Sequence, residues 1–392
     1  MHICAKETNV KVNTPMLKQS FARLVALALP LLLMLLARIY FEADDKSTFF
    51  TSLTDSILLL AFLRLGVNVY VPSLDKHQGK ILISRIYVFA VVLLTTITLT
   101  VGLVCIKYFE LNVYGLLVAG ACIPFFLLGE INRAQSKFFS FYFLKAPVVY
   151  CCAFVLALAG DSYVTFFLLY VMAGLITYSV FNNITFTNCS FPASIVVNAT
   201  ITSVLITLFS WKEAAVGRMF LDSATLEVLV FYTRLKVLTT FVYMLYNARV
   251  PNVMRKRREI GEAVEILAVA RKNIKQSLLW GILCSVAILV AVELFDKPNL
   301  TFVVIICSSS ILTIMFGNIA QALIANREVI TVALSHLLSV ILFVMCFFIL
   351  NRLTEDLLSV AISALFAQFA LGICLYFFAF RIDKASKLTP VI

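Results

Sequence analysis

Arg64, Lys212, Arg234 and Lys236 stand inside long apolar runs of this 392-residue chain, where no soluble fold would need them. An ionisable side chain near the centre of a bilayer costs about 2.5 to 3.5 kcal/mol on insertion scales, so such residues face a bundle interior or a watery path. Arg38 and Arg218 lie nearer the ends of their runs, where a long side chain can reach the interface. The acids read within the runs are Asp55 and Glu213. Two carboxylates can neutralise two of the four deep cations, which leaves fixed positive charge whose chemistry is the holding of an anion. The competing reading is structural, with Lys212 paired to Glu213 and Arg64 to Asp55. Asp55 and Glu213 are also candidate ion-coupling residues, able to exchange a proton or a sodium ion as a carrier changes shape.

The elements that must position these residues are transmembrane helices. The chain is 62% apolar and 14% charged with a mean hydropathy of +0.99, far above the apolar share of a soluble domain. Each run of about 20 apolar residues can cross the hydrocarbon as a helix, since no water is there to satisfy an open backbone. Twelve spans are predicted, near residues 20–41, 49–70, 83–106, 111–129, 142–160, 162–181, 194–219, 225–248, 276–295, 299–325, 328–350 and 357–380. The fold class is therefore an all-α integral membrane protein with about twelve transmembrane helices.

Basic residues fix an orientation. Lys6, Lys11 and Lys18 precede the first span and Arg23 stands at its start; Arg133, Lys137 and Lys145 follow the fourth; Arg249, the tract Arg255–Arg258, Arg271 and Lys272 follow the eighth. The alternate turns hold only Lys46, Lys107, Lys297 and Arg352, together with acids such as Glu42, Asp161, Asp296 and Asp356. The bias places both termini in the cytoplasm. It also accounts for most of the formal charge of +11, so no nucleic-acid partner is implied. The Arg255–Arg258 tract is a topology determinant that can also touch anionic membrane lipids. The first run has full spanning length and no cleavable signal ahead of it, so it is retained.

The charged residues concentrate in spans one, two, seven and eight, the first two of each half. Because the first half has an even number of spans, the halves are parallel repeats about a pseudo-two-fold axis along the membrane normal. Two six-helix lobes follow, 1–181 and 182–392, facing across a cavity. At about 100° per residue, Lys236, Thr240, Tyr243 and Asn247 share one face of span eight, and Ser203, Thr207 and Ser210 share one of span seven. Arg234 falls about 160° from Lys236, and Asp55 opposite Arg64, so one straight face cannot hold them all. Pro30 should kink the first span.

Catalytic signatures are missing. His2, His77 and His336 have no metal-ligand spacing, and His336 reads as a hydrogen-bonded core residue. The ten cysteines show no disulfide or zinc framework. No phosphate-binding glycine loop, no nucleophile elbow and no long outer loop is present. The tripeptides at Asn183, Asn188, Asn198 and Asn299 match the glycosylation acceptor pattern by chance.

The span pattern, the charged spans one, two, seven and eight, and the basic loop after span eight resemble the multidrug/oligosaccharidyl-lipid/polysaccharide exporter superfamily. The stretch Ile201 to Met254, ITSVLITLFSWKEAAVGRMFLDSATLEVLVFYTRLKVLTTFVYMLYNARVPNVM, is similar to the seventh and eighth spans of Wzx-type O-antigen flippases. Such a resemblance implies alternating-access export of an undecaprenyl-diphosphate-linked oligosaccharide across the bacterial cytoplasmic (inner) membrane, without ATP hydrolysis or a cofactor. It implies Arg38, Arg64, Lys212, Arg234 and Lys236 as substrate-binding cations, and a polysaccharide polymerase with its chain-length machinery as partners. The uncharged link at 182–193 departs from that pattern. Two alternatives remain: a drug or cation antiporter of the same superfamily, which should favour carboxylates in its cavity, and a membrane glycan polymerase or ligase, which should carry outer loops.

Overall fold

The structure, a computed structural model, describes residues 14–74, 76–77, 80–109, 113–159, 163–187, 193–259, 265–295 and 299–388. Lys6, Lys11, Asp161, Asn188, Asp296, Lys297 and the side chains of Arg255, Lys256 and Arg258 lie outside the described residues. The first half runs through α1 (Thr14–Tyr40), α2 (Ala43–Leu63), the single turn α3 (Val67–Tyr70), α4 (Arg85–Phe109), α5 (Tyr114–Ala134), α6 (Phe138–Phe143), α7 (Ala146–Ala159) and α8 (Tyr163–Phe181). The second half continues with α9 (Ala193–Ser210), α10 (Lys212–Phe220), α11 (Ser223–Leu235), α12 (Phe241–Asn247), α13 (Val250–Glu259), α14 (Ile266–Arg271), α15 (Ile274–Phe295), α16 (Leu300–Phe316), α17 (Ile319–Ala325), α18 (Val329–Leu350) and α19 (Asp356–Leu388). Among the described residues, 9 helical stretches are long and apolar enough to cross a membrane, 2 more crossings are bent pairs, and Leu169–Phe181 is a shorter apolar helix. These 9 to 11 candidate spans fall at eleven of the twelve expected positions, and the short Leu169–Phe181 helix falls at the sixth.

Lipid and packing sort each helix into two faces. On α4, Ile86, Phe89, Leu93, Ile97 and Val101 are exposed at helical spacing, while Tyr87, Val91, Thr95 and Thr98 are buried. Lipid tails are as apolar as leucine, so the buried face is set by close packing and small or hydroxyl side chains rather than by hydrophobicity. Helix α5 is the axle of the first half: residues from Leu117 to Ala134 are almost all buried, and it packs against α2, α4, α7 and α8. In the second half α19 lies along α16 and α18, and α18 reaches α9.

Three features depart from the expectation of straight spans. Span seven breaks at Trp211, between α9 and α10. Span eight leaves α11 for a 3₁₀ turn at Lys236–Leu238 before α12, with a bend of 69°. Span ten bends by 43° between α16 and α17, where Gly317 takes a φ of 73°. Pro30, expected as the kink, sits inside an unbroken α1. A three-stranded sheet is a further departure from the all-helical reading: β1 (Lys76–His77) pairs antiparallel with β2 (Lys80–Ser84), which pairs parallel with β3 (Ile184–Thr187). The register Ile81↔Ile184 to Ser84↔Thr187 ties the link after α8 back to the first half.

The backbones of the two halves come close where α3 meets α9. Gly66 has a φ of 65°, and a Cβ there would lie 2.5 Å from the backbone of Ala199 and Thr200. Gly66→Ala should therefore cost about 1–3 kcal/mol as an overpacking substitution, read as a lower thermal midpoint of the detergent-solubilised protein; an unchanged midpoint would show that the halves are free to separate there.

Candidate functional site

The breaks in spans seven, eight and ten meet around one space. A broken helix frees backbone groups that hydrocarbon cannot satisfy, and such breaks are tolerated only against protein or a water-filled cavity. Here the cavity is a chamber of two adjoining pockets. The second-half pocket, about 350 Å³, is walled by Lys212, Lys236, Tyr243, Gln321, His336 and Gln368 among others. The first-half pocket, about 320 Å³, carries Arg64, Asn68, Phe126, Lys145 and Tyr150. Arg23, Trp211 and Arg234 belong to the walls of both.

The second-half pocket is held by one carboxylate and two lysines. Glu213 is 1% exposed, and its Oε1 accepts from Lys236 Nζ at 2.6 Å and lies 3.5 Å from Lys212 Nζ. Lys212 also donates to the Phe209 carbonyl at 3.2 Å and sits 4.1 Å from that ring centre. The 3₁₀ turn lets Lys236 share a wall with Arg234 despite their unfavourable helical phase. Thr240, Tyr243 and Asn247, expected on the Lys236 face, line the same pocket. His336 donates or accepts at the Val332 carbonyl, 2.8 Å away, as a core histidine does, and also borders the pocket.

The first-half pocket compensates its cations differently. Arg64 is buried and donates through Nε to Ser203 Oγ at 2.9 Å and through Nη2 to the Ser203 carbonyl at 3.3 Å and to Thr207 Oγ1. It therefore does not pair with Asp55, and the polar stripe of span seven serves it instead. Arg234 stacks on Trp211, its Cζ 3.4 Å from the ring centre, and faces Tyr150 at 5.7 Å. Lys145 donates to Glu130, which is fully buried and also lies 3.3 Å from Arg133 Nη1.

Two of the expected site residues lie elsewhere. Arg38 is at the end of α1, where its Nε pairs with Glu227 at 2.7 Å; it lines neither pocket. Asp55 pairs with Arg218 at 3.0 Å and both are well exposed, so Asp55 stands outside the chamber. Beyond them, the turn between α10 and α11 is built locally: Asp222 caps α11 by accepting from the backbone of Ala224 and Thr225 at 2.9 Å each, and the Thr225 amide above all holds its carboxyl below the usual range.

Four functional side chains escape the reading of the sequence. Arg23 and Lys145 fall at the cytoplasmic ends of their expected spans, yet both wall the chamber, and Arg23 Nε is buried with no hydrogen-bond partner. Glu130 lies one residue past the expected end of span four, and Glu227 is a further acid inside an expected run. Among the described residues, Arg23, Arg64, Lys145, Lys212, Arg234 and Lys236 line the two pockets and no carboxylate does; Glu130 and Glu213 stand behind the wall.

No protein-family model matches the sequence, and no curated protein matches it. The fold has clear likenesses among solved structures. A MATE transporter in the straight conformation superposes with a TM-score of 0.60 at 13% identity, covering 96% of this chain and 97% of that one. A MATE transporter in the bent conformation gives 0.57 at 14% identity, covering 95% and 96%. An outward-facing multidrug resistance MATE family transporter of the MOP superfamily gives 0.56 at 12% identity, with 96% of each chain covered. At these identities the likeness establishes the fold: a multi-pass helical membrane protein built as those transporters are.

The Glu213 cluster yields a direct test. Glu213→Gln leaves the buried Lys212 and the half-buried Lys236 without a countercharge, which should cost about 3–5 kcal/mol and appear as a large drop in thermal midpoint. Retention of wild-type stability would mean that water already solvates both lysines.

Proposed function

We propose that this chain is a secondary transporter that carries an organic anion across a membrane by alternating access, its lobes 1–181 and 182–392 rocking about the chamber. The observation that carries the reading is the wall itself, six cations with no carboxylate among them in the described residues. A charge taken through hydrocarbon must have its hydration replaced by fixed dipoles and counter-ions, and these side chains supply the positive half of that exchange. Arginine forks and lysine points together suit a phosphate or diphosphate oxyanion.

Within that class the substrate proposed is a lipid-linked oligosaccharide of the undecaprenyl-diphosphate type, with the protein as its flippase in a bacterial inner membrane and both termini cytoplasmic. The headgroup would occupy the chamber while the polyprenyl tail stays in lipid. Hydroxyl and amide side chains of the second-half pocket, among them Ser309, Ser310, Thr313, Gln321 and Gln368, suit a sugar. Arg64, Lys145, Lys212, Arg234 and Lys236 are the binding cations of this reading, with Arg38 set aside as a residue of the far end.

A drug or cation antiporter is the second reading, and the fold likeness to a multidrug resistance transporter favours it over the flippase. The aromatic lining of the first-half pocket by Phe126, Tyr150 and Trp211 suits a flat drug. The cationic wall opposes it for a cationic cargo. Under either reading, Glu213 is the ion-coupling candidate that stands directly behind the chamber wall, bound to two of its lysines, and Asp55 the one that lies away from it.

Arg234 and Lys236 changed together to Gln should abolish surface polysaccharide in a flippase-deficient host at normal protein level. Full polymer from that double variant, with drug tolerance lost on deletion of the wild-type gene, would establish the antiporter instead. Transport into vesicles should also respond to an imposed proton or sodium gradient; indifference to both would remove ion exchange from Glu213.

A further inference from the structure

Glu213 and Glu130 each serve two cations, but only one of these clusters reaches across the molecule. Lys212, Glu213 and Lys236 all belong to the second half. Glu130, fully buried on α5, holds Lys145 with Oε1 and faces Arg133 Nη1 with Oε2, 3.3 Å away. Arg133 in turn donates through Nη2 to Gln321 Oε1 on α17 at 3.2 Å, and its backbone carbonyl accepts from Asn252 Nδ2 on α13 at 3.3 Å. Asn252 donates also to Ser136 Oγ at 3.2 Å, and Arg249 to Gln19 on α1. These bonds bridge the two halves on the face of the bundle from which α1 starts. Lys145 lines the first-half pocket, so one carboxylate is divided between a chamber cation and the cation that latches the halves.

We propose that Glu130 is a positioning residue that converts anion occupancy of the chamber into release of this latch. The inference rests on the anionic reading of the chamber. In a low-dielectric interior a single carboxylate cannot satisfy two cations fully, and Glu130 Oε2 makes no hydrogen bond as it stands. An anion in the first-half pocket draws Lys145 Nζ toward itself. Glu130 is then left to Arg133 alone, and the guanidinium turns from Gln321 to pair with both carboxylate oxygens, the stronger bidentate arrangement. Loss of the Gln321 bond loosens the contact of α5 with α17 and α13. The occupied chamber thereby favours the state open on this face, as a ligand must when it binds one of two states better.

The test uses the full-length protein in nanodiscs with inorganic pyrophosphate as the probe. Binding is read from the fluorescence of Trp211, which borders both pockets, in a Trp280→Phe background. Opening is read from hydrogen–deuterium exchange in segments 131–137 and 249–254. Pyrophosphate should quench Trp211 and speed exchange in both segments about fivefold or more. In Glu130→Gln the quench should persist and the change in exchange should vanish. Gln321→Ala, which strands no buried charge, should exchange fast at this face without pyrophosphate. Quenching with no change in exchange, or an undiminished change in Glu130→Gln, would overturn the relay while leaving the anionic chamber standing. No quench and no change would overturn the anionic chamber, and the relay with it.

Discussion

A cation inside hydrocarbon must be compensated, and this chain compensates its buried cations only partly. Each half sets one enclosed carboxylate between two cations: Glu130 between Lys145 and Arg133, Glu213 between Lys212 and Lys236. The remaining guanidiniums rely on weaker partners. Arg64 takes hydroxyl and carbonyl oxygens from Ser203 and Thr207, and Arg234 lies on the face of Trp211. Hydrogen bonds and ring quadrupoles lower the energy of a buried cation without cancelling its charge. The chamber is therefore an electrostatic sink with its acids placed behind the wall.

The same constraint explains where the helices break. Trp211 interrupts span seven directly before Lys212, and the 3₁₀ turn of span eight begins at Lys236. Gly317, at the bend of span ten, borders the second-half pocket. A straight helix would turn Arg234 and Lys236 to different sides. Breaking the span there brings both to one space, and the freed backbone groups gain a polar surrounding that lipid would deny them. Packing, backbone geometry and charge placement are in this sense one solution.

How much of this is legible in the sequence follows from what hydropathy and phase can register. The apolar crossings are legible because lipid demands about 20 apolar residues at each. The stripe Lys236, Thr240, Tyr243, Asn247 is visible because a helix repeats regularly, and the opposed phases of Asp55 and Arg64 anticipate that they do not pair. Arg23, Glu130 and Lys145 are lost for a single reason: a span is recognised by its apolar run, so a charge at its edge is assigned to the loop. Tertiary packing buries those edges beneath α6 and the opposite half. The breaks at Trp211 and Leu238 carry no glycine or proline, and no local signal marks them. The sheet between β2 and β3 joins segments about a hundred residues apart, beyond the reach of any periodicity.

The two ends of the bundle are bridged by different chemistry. At the end far from the start of α1, Arg38 pairs with Glu227 and Arg218 with Asp55, each joining one half to the other. These pairs are partly or well exposed, and ion pairs of that kind contribute about 0.2–1 kcal/mol each. At the near end the bridges are hydrogen bonds from Arg133, Arg249 and Asn252, among which the guanidinium donors meet neutral amides. At that same near end Gly66, just past α2, meets the backbone of Ala199 with no room for a side chain, and Arg64 beside it donates to Ser203 and Thr207 of α9. The halves are thus held at the near end by backbone contact and by hydrogen bonds from guanidiniums and amides, and at the far end by partly exposed ion pairs, so different interactions must break to part them at each end.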